Sequence, residues 1–155
     1  MLFREILEER FVRIGLKATK KNEIFEELAE LFQEIHGIDK KEAYKAMVER
    51  EKKGSTGLGN GLAIPHGRSP HVKDLHLLFV YEPEGREFEA YDKQPSYLFL
   101  AVITSDEYSP QQQLEILRII VEIYEKTDMV QAIKKVKTPH DLYKLILEKE
   151  AECHK

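Results

Sequence analysis

Cysteine is almost missing from this sequence. Cys153 is the single cysteine among 155 residues, so no disulfide can form within one chain and a reducing compartment is expected. No apolar run approaches the roughly 18 residues that a membrane-spanning helix needs. The first residues already include Glu5 and do not resemble a signal peptide. These absences predict a cytoplasmic protein with no direct membrane insertion.

An excess of positive charge is also missing. The formal net charge is −4 and the sequence pI is about 5.9, which argues against nucleic acid as a partner. Hydrophobic residues make up 42% and charged residues 34% of the chain, a composition typical of globular proteins rather than disordered ones. No repeat or linker divides the chain, so we predict one domain over residues 1–155.

Two apolar segments predict strands that are buried on both faces. Residues 75–81 and 97–103 are nearly continuous apolar runs, whereas Val12, Ile14 and Leu16 alternate as in an edge strand. Strands buried on both faces need helices above and below. We therefore predict an α/β fold in which a mixed β-sheet is flanked by helices on both faces.

Helix start signals recur along the chain. Beyond a short helix at residues 3–9, we expect five helices that begin with a residue able to cap the first turn. The capping residues are Thr19, Asp39, Ser109, Asp128 and Thr138.

Three of these helices carry further predictions. Gly37 is expected to end the helix that follows Thr19, and Gly54 the helix that follows Asp39. In the helix after Ser109, we expect one apolar stripe to face the core. The stripe consists of Leu114, Leu117, Val121 and Tyr124.

Glycine is concentrated in one segment. Five of the eight glycines lie between positions 54 and 67, where the sequence reads GSTGLGNGLAIPHG. Glycine costs conformational entropy on folding, so such a cluster indicates backbone that bends sharply or approaches a ligand closely. Phosphate is a common ligand of this kind, because successive backbone N–H groups can surround an anion.

Several familiar sites do not fit this segment. It lacks the lysine and hydroxyl of a P-loop, and a predicted helix rather than a strand precedes it, unlike a dinucleotide fingerprint. No Gly-x-Ser-x-Gly elbow exists for a hydrolase. The five-residue spacing of His66, His71 and His76 fits neither one helix face nor one strand face, so no metal site is predicted.

His66 closes the segment between Pro65 and Gly67, and its imidazole can act as a nucleophile near neutral pH. A phosphohistidine would need cationic and N–H partners. Arg50, 16 residues earlier at the expected end of a helix, can bind two phosphoryl oxygens. Ser55 and Thr56 add hydroxyl groups. The alternatives remain a helix-end dipole partner for Arg50 and turn hydrogen bonds for Ser55 and Thr56.

The whole run from Arg50 to Gly67, REKKGSTGLGNGLAIPHG, resembles the fructose/mannitol-type (type 2) enzyme IIA proteins of the bacterial phosphotransferase system, which include the nitrogen-regulatory enzyme IIA proteins. The segment FEAYDKQP at residues 88–95 is similar to the family's segment before its central strand. The resemblance is strong over residues 50–103 and compatible with the helix pattern on both sides.

The resemblance implies a fold like the phosphotransferase/anion-transport-protein sandwich. It further implies that His66 is phosphorylated, on the ring nitrogen remote from the backbone, and that Arg50 helps bind the phosphoryl group. The implied donor is HPr or its nitrogen-branch relative, and the implied acceptor is an enzyme IIB or a regulatory protein. No metal or organic cofactor is implied.

One position departs from the pattern. Many relatives carry a second histidine in a His-Leu-x-x-Leu motif, and here Gln113 stands in that place. Gln113 can form hydrogen bonds but cannot become cationic. Three functions follow as hypotheses: a phosphocarrier for sugar uptake, a regulatory module that binds partners according to the phosphorylation state of His66, and a relic that folds but accepts no phosphate.

Overall fold

A mixed six-stranded sheet lies at the centre of the protein in the computed structural model, which describes residues 2–154. β5 and β6 are antiparallel at its centre, β1 is parallel to β5 at one edge, and β3 and β4 are both parallel to β6. A short β2 pairs with β3. The strands are β1 (Val12–Ile14), β2 (Gly57–Gly59), β3 (Leu62–Ala63), β4 (His66–Ser69), β5 (Leu75–Arg86) and β6 (Ser96–Ser105).

Helices cover both faces of this sheet, as predicted. Alternate residues of β5 and β6 enter two separate cores: Phe79 and Leu100 pack with α4 and α6, whereas Val80 and Phe99 pack with α2 and α3. Short 3-10 turns lie at Glu9–Phe11 and Ile133–Lys135. The helices are α1 (Phe3–Ile6), α2 (Lys21–His36), α3 (Lys40–Glu51), α4 (Pro110–Lys126), α5 (Met129–Ala132) and α6 (Pro139–Cys153).

The capping predictions are confirmed most clearly for α4 and α6. The side chains of Ser109 and Thr138 each accept a hydrogen bond from the backbone N–H three residues on, and a proline follows each cap. Asp39 caps α3 in the same way. Gly37 ends α2 in the left-handed conformation, with φ of +69°, as the sequence indicates.

Three helix predictions are wrong in detail. α2 begins at Lys21 after Lys20, not Thr19, and has no side-chain cap. Asp128 does not cap α5, because its carboxylate is paired instead with Lys149 of α6 at 2.5 Å. α3 ends at Glu51, three residues before Gly54.

The buried face of α4 also differs from the prediction. Ile116, Ile120 and Ile123 are buried against the sheet, whereas Leu114 is 59% exposed. The apolar residues of α4 surround much of the helix, so hydrophobic periodicity alone selects the wrong stripe. As a result, Leu114 lies on the surface next to Gln113.

In residues 2–154, no helix is both long enough and apolar enough to cross a membrane.

Candidate functional site

His66 is the first residue of β4, where it pairs with Val102 of β6. Only 8% of its surface is exposed. The glycine-rich segment before it forms β2, a tight turn and β3, and so leads the chain along the edge of β6 into β4. The sheet therefore fixes the backbone on both sides of the imidazole.

The hydrogen bond of the imidazole determines its tautomer. Nδ1 of His66 lies 2.7 Å from the carbonyl oxygen of Ile64. A carbonyl oxygen only accepts, so Nδ1 carries the proton and donates it. In the neutral ring Nε2 then holds an unshared electron pair. The ring thus has one nitrogen bound to the backbone and a second nitrogen able to attack an electrophile.

The surroundings of His66 also favour the neutral ring. Burial lowers its pKa below the ordinary 6.5, and the positive charge of Arg50 lowers it further. The hydrogen bond to Ile64, second to burial in its effect, and the negative charge of Glu51 raise the pKa, and the net shift is downward. A pKa below 6.5 means that most molecules carry a nucleophilic imidazole at pH 7.

Arg50 lies near enough to His66 for its charge to lower the pKa of the imidazole, because α3 packs closely on β4. Its guanidinium Nη1 donates to the carbonyl oxygen of Gly54 at 2.9 Å, which folds the side chain back over the start of the glycine-rich segment. The close packing of the helix depends on Gly67, where a Cβ would lie 2.2 Å from the carbonyl oxygen of Ala46. No other residue type fits at this position without moving α3, which carries Arg50.

We expect Gly67→Ala to reduce the free energy of unfolding by roughly 3 kcal/mol, the upper part of the range for overpacking, because the obstacle is backbone. Urea denaturation followed by circular dichroism measures the change. Gly37→Ala is the matched control, because its Cβ has open space and only the positive φ opposes it, at about 1–2 kcal/mol. If Gly67→Ala were no more destabilising than Gly37→Ala, the packing of α3 on β4 would not be as described.

The hydroxyls of Ser55 and Thr56 are engaged within the loop. Ser55 Oγ donates to the carbonyl oxygen of Phe88 at 3.3 Å and accepts from the N–H of Gly57. Thr56 donates both its hydroxyl, at 2.5 Å, and its N–H to the carboxylate of Glu51. Both side chains are therefore bonded within the protein, Ser55 within the loop region and Thr56 to the end of α3.

Sequence reasoning missed Glu51 and its partner Lys21. Lys21 of α2 forms an ion pair with Glu51 at 2.7 Å, so the carboxylate links α2 to the loop that leads to His66. A signal was present, because an acidic residue in the last turn of a helix opposes the helix dipole and needs another reason to be there.

Gln113 lies beside the site rather than on the imidazole. Its Nε2 donates to the carbonyl oxygen of Gly67 and to the hydroxyl of Thr104, each at 3.4 Å. The first turn of α4 is thereby brought next to the residue that follows His66. The Gln113 side chain therefore lies beside the backbone of Gly67 and the hydroxyl of Thr104.

Comparisons with known proteins agree with this geometry. Residues 5–149 match the family described as phosphoenolpyruvate-dependent sugar phosphotransferase system, EIIA 2. A nitrogen regulatory protein of Pseudomonas aeruginosa is 31% identical over 87% of this chain and 88% of its own length. A fructose-specific EIIABC component of Bacillus subtilis is 26% identical over 68% of this chain, which spans only 17% of that longer protein.

A solved structure is similar over nearly the whole chain. The nitrogen regulatory protein IIA-Ntr of Neisseria meningitidis superposes with a TM-score of 0.82 at 27% identity, covering 92% of this chain and 97% of the other. The sheet, its flanking helices and the loop that leads to His66 are thus those of a known fold. The chain belongs to the type 2 EIIA family of the phosphotransferase system.

Proposed function

We propose that this protein is a phosphocarrier that accepts a phosphoryl group on Nε2 of His66 and passes it to a second protein. The observation that carries the proposal is the 2.7 Å hydrogen bond from Nδ1 to the carbonyl oxygen of Ile64, which leaves Nε2 as the nucleophile. Burial and the charge of Arg50 keep the ring neutral. The proposed transfer needs neither a metal ion nor an organic cofactor.

The transfer exchanges one N–P bond for another. The electron pair of His66 Nε2 attacks the phosphorus of a donor phosphohistidine, and the donor's N–P bond breaks with its electrons returning to the donor imidazole. The proton on His66 Nδ1 stays in place. Negative charge on the phosphoryl oxygens is stabilised by Arg50, whose planar guanidinium can donate two parallel hydrogen bonds.

A protein donor is supported by the apolar groups exposed near the site. Tyr91 is 68% exposed, and its hydroxyl lies against Gly54, whose carbonyl binds Arg50. Leu114, 59% exposed, directly follows Gln113. Exposed aromatic and aliphatic residues of this kind are typical of protein contacts. We infer an HPr-type carrier as the donor and an enzyme IIB or a regulatory protein as the acceptor.

Incubation of the wild-type chain with enzyme I, a matching HPr-type carrier and phosphoenolpyruvate tests the proposal. Intact-mass measurement should show one added phosphoryl group that acid removes and base does not, as expected of phosphohistidine. Absence of the added mass, with a known enzyme IIA protein labelled in parallel, would contradict the proposal and favour a relic without carrier activity.

A regulatory role is the second candidate function. It is favoured by the 31% identity to a nitrogen regulatory protein across 88% of that protein's length. The two roles differ in the fate of the phosphoryl group. A transport role predicts rapid transfer to an enzyme IIB domain, whereas a regulatory role predicts a phosphorylated protein that is stable with enzyme IIB and binds a partner differently from the unphosphorylated form.

We expect Gln113→His to make transfer depend more strongly on pH between about 6 and 7, because it adds a titrating group beside the site. It should also change the hydrolysis rate of the phosphorylated protein, since a protonated ring stabilises the phosphoryl dianion more than an amide does. Rates of transfer and hydrolysis measured across this pH range give both quantities. If Gln113→His and Gln113→Ala both behave as wild type, the side chain does not contact the phosphoryl group.

A further inference from the structure

A cavity of about 580 Å³ lies at the end of the sheet remote from His66. Tyr97, near the start of β6, lines it, whereas His66 pairs with Val102 five residues further along the same strand. At 3.3 Å per residue this separates the cavity from His66 by roughly 16 Å. The volume is within the usual range of small-molecule sites. The phosphoryl site and this cavity are therefore distinct places on the protein.

Three tyrosines line this cavity. Tyr81 comes from β5, Tyr97 from β6 and Tyr124 from α4. Tyr97 is near enough to Tyr81 to raise the pKa of Tyr81, and Tyr81 is near enough to Tyr124 to raise the pKa of Tyr124. Burial is the main cause of the raised pKa of Tyr81 and of Tyr124. A phenol hydroxyl is uncharged at neutral pH and can both donate and accept a hydrogen bond.

Within residues 2–154, none of these hydroxyls forms a hydrogen bond to another residue. The side chain of Tyr81 is nonetheless almost completely buried, at 4% exposure. In that same part of the chain, one side-chain oxygen is both inaccessible to solvent and without a hydrogen-bond partner, and it is Ser96 Oγ. The three phenol oxygens are not in this class. The phenol oxygens are therefore reached through the cavity, and a molecule bound there can satisfy them.

The walls of the cavity are rigid and partly apolar. The ring of Tyr97 is held between two glycines, since a Cβ would lie 3.1 Å from it at Gly61 and 2.8 Å from it at Gly85. Pro83 and Pro95 complete a surface on which the flat face of a ring can pack. A site of this shape is formed before the ligand arrives, which reduces the entropy lost on binding.

Charged groups at the cavity are few and already engaged. The carboxylate of Asp92 accepts hydrogen bonds from the N–H groups of Asn60 and Gln94, at 3.0 Å each. Lys134, the cation of the lining, donates to Gln131 at 3.3 Å. With one charge of each sign, the cavity offers no net attraction to an ionic ligand.

We propose that this cavity binds an uncharged, polyhydroxylated ring compound of the size of a mono- or disaccharide or a cyclic polyol. The C–H faces of such a ring pack on tyrosine and proline, and its hydroxyls pair with the three phenol hydroxyls. The binding does not depend on phosphorylation, so it is measured on the unmodified chain and its failure leaves the phosphocarrier proposal unaffected.

Saturation-transfer NMR on the full chain tests the proposal with methyl glucoside, maltose and myo-inositol as probes. At least one should bind with a dissociation constant on the order of millimolar. Backbone amide shifts should change at residues 60, 61, 94, 96 and 97. Tyr81→Phe and Tyr124→Phe retain the rings and remove one hydroxyl each, so each should weaken binding roughly three- to tenfold.

Tyr44→Phe is the matched control, because the Tyr44 hydroxyl binds Asn22 on the far side of the protein, and it should leave binding unchanged. Glucuronate carries the same kind of ring with a negative charge, and cyclohexanol carries one hydroxyl; both should bind more weakly than the best polyol. The proposal is overturned if no polyol binds, if the Phe variants bind as wild type, or if glucuronate or cyclohexanol binds more tightly.

Discussion

A His66→Ala variant is expected to take up no phosphoryl group under conditions that phosphorylate the wild-type chain completely. The variant lacks the Nε2 nucleophile, and no other nucleophile is placed in the same hydrogen-bonded geometry beside Arg50 in the part of the chain that the structure describes. Intact-mass measurement after incubation with the donor system gives the result directly. The fold should survive, because the change removes a side chain at the edge of the sheet rather than in either core.

His71→Ala is the control for this experiment. His71 lies five residues beyond His66 and is exposed, so its loss should leave labelling unchanged. Equal labelling of wild type and His66→Ala would show that another residue accepts the phosphoryl group. Circular dichroism of each variant separates a lost nucleophile from a lost fold.

An Arg50→Gln variant is expected to fold normally and to be phosphorylated about 100-fold more slowly. Loss of a charge-assisted contact that strengthens as charge spreads over the phosphoryl oxygens costs a few kcal/mol in the transition state. The substitution also raises the pKa of His66, because the charge of Arg50 lowers it in the wild type. When the pH is lowered, the imidazole of the variant is therefore protonated earlier, and its rate of phosphorylation should begin to fall at a higher pH than that of the wild type.

Arg68→Gln provides a matched control, since Arg68 lies two residues from His66 but is exposed and binds the carbonyl oxygen of Tyr108. Its rate should stay close to that of the wild type. Single-turnover kinetics give the rates, and NMR titration of the His66 ring gives the pKa. If Arg50→Gln and Arg68→Gln behaved alike, Arg50 would be only a helix-end residue.

The layered fold could be predicted from the sequence because local and long-range signals agree in it. The apolar runs that form β5 and β6 are too continuous for any position except the centre of a sheet covered on both faces. The Ser109-Pro110 and Thr138-Pro139 pairs combine a cap with a proline at the first helical position, and both begin helices. Where several sequence signals favour the same element, tertiary packing seldom overrides them all.

Two of the failed predictions, the cap of α5 and the buried face of α4, depend on contacts that are distant in sequence. Asp128 can cap a helix as well as other aspartates do, but Lys149 of α6 takes its carboxylate. The orientation of α4 is set by the sheet that it covers, and its sequence alone permits more than one apolar face. Neither outcome can be read from a short segment, because the competing partner lies elsewhere in the chain.

In the candidate site, too, some features could be predicted from local sequence and others depend on distant contacts. The glycine-rich segment identified His66 as a candidate. The position of Arg50, at the predicted end of the helix before this segment, identified Arg50 as its partner. The link from Lys21 through Glu51 to Thr56 joins three separate segments and could not be predicted from spacing. The bond between His66 Nδ1 and Ile64 likewise depends on how the chain bends through Pro65 into β4.

The most direct test of the account identifies the ring nitrogen that bears the phosphoryl group. Two-bond proton–nitrogen NMR correlation on the phosphorylated, nitrogen-labelled chain distinguishes Nδ1 from Nε2 in each histidine. The hydrogen bond from Nδ1 to Ile64 predicts a phosphoryl group on Nε2 of His66, with the Nδ1 proton retained. Phosphorylation on Nδ1 of His66, or on any other residue, would contradict it.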